Sequence, residues 1–361
     1  MKNLEREEIR DIKPYVPGKP VNDVKREYNL DKVIKLASNE NPIGASPKVI
    51  EVISKNLNSF NIYPDGYCYD LRKKLSEIHN FNMNNFCFGD GSNEILGMLT
   101  QSFVNHGDEV IYCSPSFVEY NRLSKIMGAT PIQINMAKDM KFDLNKILDK
   151  INDKTKMIFI CNPNNPTGTI VTKKEVGEFI EKVPKNIIVV FDEAYFEFAI
   201  INKKYPDSLE YQRKGYNNIV TLRTFSKAYG LAALRVGYAI ADKEIIDALE
   251  KVRYPFNVST LAQLAALTAL DDYEHVKKSV EIVIEGKNYI YSEFDKMNIE
   301  YIKTDSNFLL FKTEKLAKEV FDNLLKRGII IRPMGEKLLR VSFGTMEENI
   351  CFVENLKEVL K

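Results

Sequence analysis

Seven short apolar runs, separated by stretches of helical periodicity, constrain this chain more than any other feature. They cover residues 86–88, 110–113, 131–135, 157–161, 187–191, 219–224 and 236–240. Runs of this length, alternating with helices, build a mostly parallel sheet with helices on both faces, an α/β architecture. In such sheets ligands sit beyond the carboxyl ends of the strands. Polar clusters follow the runs at that end, at residues 89–93, 114–117, 162–168, 192–195 and 224–227. Their convergence predicts a site there.

The rest of the chain reads differently. Residues 1–42 are rich in proline and turn residues and show no long periodic element, with a short strand expected at 33–37. Beyond residue 250, helical patterns at 261–270, 273–297 and 316–327 mix with strand runs at 308–312, 329–331 and 338–343. A chain of 361 residues exceeds one small core. The expected division is an N-terminal segment (1–42) associating with the small domain and the site mouth, a large ligand-binding domain (43–250), and a small α+β C-terminal domain (251–361).

Composition removes several classes of function. A hydrophobic content of 44% and a charged content of 28% are those of a soluble globular protein. With 51 basic and 50 acidic side chains, no net field favours nucleic acid or an anionic membrane. No run of ~18 apolar residues is present, and residues 1–8 lack the apolar stretch of a signal peptide. Five scattered cysteines, without a C-x-x-C pair, read as reduced thiols in a cytoplasmic protein and not as a metal site. Three dispersed histidines give no basis for histidine catalysis.

The chemistry concentrates on Lys227. It stands among Thr224, Ser226 and Arg235, hydroxyl and guanidinium groups suited to a phosphate, and is itself a potential amine nucleophile. Asp192 ends the most apolar run, where a carboxylate is costly without a partner; a pyridinium N–H or an arginine would equally serve. Gly91, Ser92 and Asn93 follow a strand and open a helix, which makes either an anion site or an ordinary helix cap. Phe117 suits stacking on an aromatic ring or plain core packing. Asn165 and Tyr195 each lie at a strand end, within reach of a ring oxygen. Residues 38–44 read as a surface loop or as a segment across the site mouth.

Together, Asn165-Pro-Thr-Gly168, Asp192-Glu-Ala-Tyr195, Ser226-Lys227 and Arg235 resemble the fold-type I pyridoxal-phosphate (PLP) enzymes, in particular the class I and II aminotransferases. Within that group, Tyr15-Val-Pro-Gly-Lys-Pro20, Leu36-Ala-Ser-Asn-Glu-Asn-Pro42, Tyr63-Pro-Asp-Gly66, Arg223-Thr-Phe-Ser-Lys-Ala-Tyr-Gly230, Arg253-Tyr-Pro-Phe-Asn-Val258 and Leu339-Arg-Val-Ser-Phe-Gly-Thr345 are similar to the histidinol-phosphate aminotransferases. The resemblance implies a PLP-transferase fold with a seven-stranded sheet, and transamination between L-histidinol phosphate and 2-oxoglutarate in histidine biosynthesis.

By that resemblance Lys227 holds the cofactor and shuttles the proton, while Asp192 pairs with the ring nitrogen. Asn165 and Tyr195 hold the ring oxygen and Phe117 stacks on the ring. Gly91, Ser92, Asn93, Thr224, Ser226 and Arg235 grip the phosphate. Tyr63 reaches the phosphate of a neighbouring subunit, which implies a homodimer. Arg340, assisted by Arg332, binds the substrate anion, and Tyr15, Asn39 and Asn41 line the entrance. Two departures stand out: Ala233 replaces a common glycine, and the shortened segment 334–337 lacks a common tyrosine at the substrate wall. Related activities remain as alternatives: transamination of aromatic amino acids, threonine-phosphate decarboxylation, or a non-catalytic binding protein of the same fold.

Overall fold

The computed structural model describes residues 4–14 and 18–361. Its strands in chain order are β1 (Ile34–Lys35), β2 (Phe86–Asp90), β3 (Glu109–Ser114), β4 (Thr130–Asn135), β5 (Thr155–Cys161), β6 (Ile188–Asp192), β7 (Ile219–Thr224), β8 (Val236–Ala241), β9 (Phe308–Lys312), β10 (Ile329–Ile330), β11 (Arg332–Pro333) and β12 (Leu338–Ser342). The seven expected runs are β2 to β8. They form one sheet in the order β2-β8-β7-β6-β5-β3-β4.

All neighbours in this sheet are parallel except around β8, which runs antiparallel to both β7 and β2. β6, β7 and β8 are buried along their whole lengths. Helices cover both faces, which is why these strands read as continuous apolar runs and not as alternating ones. The reversal of β8 matters for the site. β7 ends where β8 begins, so the eleven-residue connection 225–235 brings Lys227 and Arg235 back to one edge.

A second, antiparallel sheet has the order β11-β12-β9, and β1 pairs in parallel with β10. The helices Tyr273–Lys296, Ala317–Lys326 and Met346–Leu360 share its core, with Phe294, Phe308, Phe311 and Phe352 buried together. The N-terminal segment is stitched to this sheet, because the Ser342 N–H donates to Leu36 O at 2.8 Å.

Three elements differ from the sequence reading. Residues 1–42 do contain a helix, Val21–Tyr28, which starts after Pro20 and stops at left-handed Asn29. Val24 is its one buried residue, and with five polar or charged side chains among eight it offers no apolar run to stand out. The helix Met346–Leu360 was not expected, although Thr345 and Glu348 form a capping box that marks its start. The helix Thr260–Leu270, read as part of the C-terminal domain, packs Ala262, Ala265 and Ala266 in one cluster with Val49, Leu71 and Leu75 of the helices Pro47–Lys55 and Tyr69–His79. Small alanines there admit close approach. No helix among the described residues is long and apolar enough to cross a membrane.

The two sheets meet at the loop after β5. Gly168 has a φ of +73°, and a Cβ there would lie 1.9 Å from Thr304 Oγ1. The Asp305 N–H donates to Gly168 O at 2.8 Å, and Asn202 Nδ2 donates to Asp305 Oδ1 at 3.0 Å. Gly168→Ala is therefore expected to destabilise by about 2 kcal/mol or more, combining left-handed strain with a clash. Gly215→Ala, at φ +91° in open space, carries the strain alone and should cost about 1 kcal/mol. Urea midpoints of the two variants check the difference.

Candidate active site

β2, β3, β5, β6 and β7 end, and β8 begins, along one edge of the large sheet. A cavity of about 250 Å³ lies there. Its floor comes from the polar clusters of the strand ends. One wall comes from the N-terminal segment, through Gly18, Ala37, Ser38 and Asn39, and another from Arg332 and Arg340 of the second sheet. Three parts of the chain, distant in sequence, close one volume.

Lys227 points into this cavity and its Nζ donates to Ser38 O at 3.1 Å. Burial lowers its pKa to about 8, and the positive charge of Arg340 pushes the same way. Roughly a tenth of the amine is then unprotonated at pH 7, far more than for an ordinary lysine, and that is the form that attacks a carbonyl and accepts a proton.

Asp192, 3% exposed, ends β6. The sequence left open whether its partner was an arginine; the structure supplies a phenol. Tyr120 Oη donates to Asp192 Oδ2 at 2.7 Å, and the Ala194 N–H donates to Oδ1 at 3.3 Å. Burial raises the carboxyl pKa, while the Tyr120 hydrogen bond, the Ala194 N–H and the charge of Lys227 oppose it. Phe117, partly buried, lines the cavity and meets Tyr120 edge to face at 5.8 Å.

Two further side chains are turned into donors by what they accept. Asn39 Nδ2 donates to Tyr195 Oη at 2.9 Å, which leaves the phenol's own proton for the cavity. Burial raises the Tyr195 pKa, so that proton is retained. Arg340 Nη1 donates to Asn165 Oδ1 at 2.6 Å, which leaves the Asn165 amide hydrogens to donate. Arg340 Nη2 also donates to Ala37 O at 2.7 Å. Both of these acceptors are neutral oxygens that orient the guanidinium.

The helix Gly91–Phe103 completes the cavity: Gly91, with φ +66°, Ser92 and Asn93 of its first turn line it, and a helix start suits an anion. A Cβ on Gly91 would fall 2.5 Å from Arg235 Nη2, so only glycine lets the guanidinium cross the helix start. Arg235 is held by Asp90, with Nε 3.0 Å from Oδ1 and Nη2 3.2 Å from the backbone oxygen. Thr224 Oγ1 donates to Ser226 Oγ at 3.0 Å, which leaves the Ser226 proton for a ligand.

The cavity therefore brings together Lys227, Asp192, Tyr195, Gly91, Ser92, Asn93, Phe117, Asn165, Thr224, Ser226, Arg235, Arg340, Arg332 and Asn39. Others stand apart. Asn41 spends its amide on Ala228 O and Ser279 Oγ, both at 2.8 Å, and braces the loop instead of lining the cavity. Tyr63 is 79% exposed and stacks on Phe256 at 4.8 Å, outside this chain's own cavity. Tyr15 lies outside the described residues. Sequence reasoning missed Tyr120, the Ser38 carbonyl, and the pair Ser342 and Asn307 that hold Asn39 by its backbone. Only Tyr120 had a usable signal, its i+3 spacing from Phe117.

Comparison with known proteins gives the family. Residues 31–356 match the family model for aminotransferase class I and II. The chain is 47% identical to a histidinol-phosphate aminotransferase of Caldicellulosiruptor saccharolyticus, covering 98% of this chain and 99% of the relative. It is 44% identical to one of Moorella thermoacetica, covering 98% and 92%. The crystal structure of histidinol-phosphate aminotransferase from Sinorhizobium meliloti superposes with a TM-score of 0.90 at 24% identity, over 99% of this chain and 97% of that one. The chain belongs to the class I and II aminotransferases, with the fold-type I α/β architecture. Within them it falls among the histidinol-phosphate aminotransferases.

The low proton affinity of Lys227 has a measurable consequence. The unfolded amine, with a pKa near 10.5, holds its proton above pH 8, where the folded one has released it. Stability of the cofactor-free protein should rise between pH 8 and about 10.5 on this account. Lys227→Met should flatten that rise and be the more stable protein at pH 7, as read by thermal unfolding across the pH range.

Proposed function

We propose that the chain transfers the amino group of L-histidinol phosphate to 2-oxoglutarate, with PLP as cofactor. The observation that carries this is the complementary donor and acceptor set around Lys227. One buried carboxylate, Asp192, matches a ring N–H. Two oriented donors, Asn165 and Tyr195, match a ring oxyanion. The helix start at Gly91, with Ser226 and Arg235, matches a phosphate. The amine of Lys227 matches an aldehyde. The names of the 40–47% identical relatives support the donor assignment.

When bound, PLP supplies the electron sink that stabilises negative charge at the amino-bearing carbon. The chain's residues do the rest. Lys227 Nζ takes the proton from that carbon and returns one during transfer, a role suited to a pKa of about 8. Asp192 keeps the ring nitrogen protonated. Tyr195 Oη and Asn165 Nδ2 hold the ring oxygen, and Phe117 forms a wall against the ring. Arg340, with Arg332, binds the donor phosphate or the carboxylate of the oxo acid. Its planar fork suits both anions bidentately.

A homodimer and a cytoplasmic location belong to the same reading, as does the division into 1–42, 43–250 and 251–361, in which the helix Thr260–Leu270 of the last part packs on the large domain. Exposed Tyr63, Phe60 (70%) and Ile62 (66%) form an apolar patch that a second copy would cover, carrying Tyr63 toward the neighbouring phosphate. Sedimentation should then give twice the 41.5 kDa chain mass, and Tyr63→Phe should weaken PLP binding.

Absorbance of the PLP-loaded protein tests the activity. L-Histidinol phosphate should discharge the visible band and 2-oxoglutarate restore it. Phenylalanine and tyrosine should act at least about tenfold more slowly, since they lack the dianion that Arg340 would bind. Release of carbon dioxide from threonine phosphate would overturn the assignment, as would a complete cycle by Lys227→Ala. Arg340→Lys is expected to raise KM for both substrates about tenfold or more.

A further inference from the structure

We propose that Tyr120 is a positioning residue for the cofactor, acting through Asp192. The proposal rests on reading the cavity as a PLP site, and on the geometry behind the carboxylate.

Tyr120 has no exposed surface. Its ring is clamped: it stacks on Phe159 at 4.7 Å with an interplanar angle of 9°, and meets Tyr112 and Phe117 edge to face at 5.9 and 5.8 Å. Within this packing the hydroxyl donates to Asp192 Oδ2 at 2.7 Å, with the Cys161 thiol beside it. Burial and the nearby carboxylate raise the phenol's pKa well above its ordinary value, so the proton stays on Tyr120 and the hydrogen bond runs from phenol to carboxylate. With the Ala194 N–H on Oδ1, both carboxylate oxygens are held from the protein side. The plane of the group is thereby set before any ligand arrives.

The neutrality of the partner is the useful feature. An arginine or lysine at this place would satisfy Asp192 by cancelling its charge, and would compete with a ring N–H for it. A phenol offers a hydrogen bond but no charge. Burial still raises the Asp192 pKa, so its carboxylate is held in orientation with its charge uncancelled, and a protonated ring nitrogen supplies the cation that favours the ionised form. The same ring buttresses Phe117, so one residue sets both the ring-nitrogen contact and the wall beside it.

A double-mutant cycle with Tyr120→Phe and Asp192→Asn separates this role from plain packing. Tyr120→Phe removes one oxygen and keeps the stacking, and Tyr112→Phe serves as a packing control from the same aromatic cluster. PLP dissociation is measured by fluorescence, the half-reaction with L-histidinol phosphate by stopped flow, and folding by thermal unfolding of cofactor-free protein. A hydrogen bond to a charged group translates into roughly tenfold to hundredfold in an equilibrium or rate constant. Tyr120→Phe should therefore weaken PLP binding and slow the half-reaction by about that factor, with the substrate KM nearly unchanged. In the Asp192→Asn background it should add less than about twofold, and Tyr112→Phe should change neither quantity. An equal effect of Tyr120→Phe in both backgrounds, or none in the parent, overturns the proposal. Failure of the parent itself to take up PLP would instead overturn the reading of the site.

Discussion

A carboxylate buried at the end of an apolar central strand is the constraint on which this structure depends. Isolated in that position, an ionised Asp192 would cost several kcal/mol. The fold answers with a neutral hydrogen bond from Tyr120 and a backbone N–H, and leaves the charge itself uncompensated except by Lys227 across the cavity. The large sheet is built so that this group can exist: β6 lies at its centre, the aromatic cluster packs behind it, and the cavity opens in front.

The donors around the cavity follow a common logic. Tyr195, Asn165 and Ser226 each accept a hydrogen bond from a neighbour, and each thereby keeps a proton to present to the cavity. The neighbours that do this for the first two, Asn39 and Arg340, come from outside the large sheet. Asn39 is in turn fixed by Ser342, at the end of β12, and by Asn307, just before β9. Orientation of the site is thus shared between the two sheets. Their junction at Gly168, Thr304 and Asp305 has no room for even one methyl group.

Much of this was legible in the chain itself. The seven strand runs and the polar clusters behind them predicted the sheet and its functional edge, because burial on both faces demands continuous apolar strands. Lys227, Asp192, Asn165, Tyr195 and Arg235 stood out since each places a costly or reactive group at a strand end. Asn41 did not: an amide in a turn-rich loop looks the same whether it lines a cavity or braces a backbone. The helix Val21–Tyr28 was hidden by its polar composition, which leaves no apolar run.

The sequence by itself determined the class of fold, the edge where the cavity opens and the lysine that lines it, because periodicity and burial cost are local properties. Tertiary structure alone decided which partner each polar group has. Asp192 faces a phenol and not an arginine, Lys227 rests on the Ser38 carbonyl, and Arg340 reaches Asn165 across a sequence distance of 175 residues. Those pairings decide protonation and donor direction, and they arise only when strand order and loop reversal bring distant segments within about 3 Å of one another.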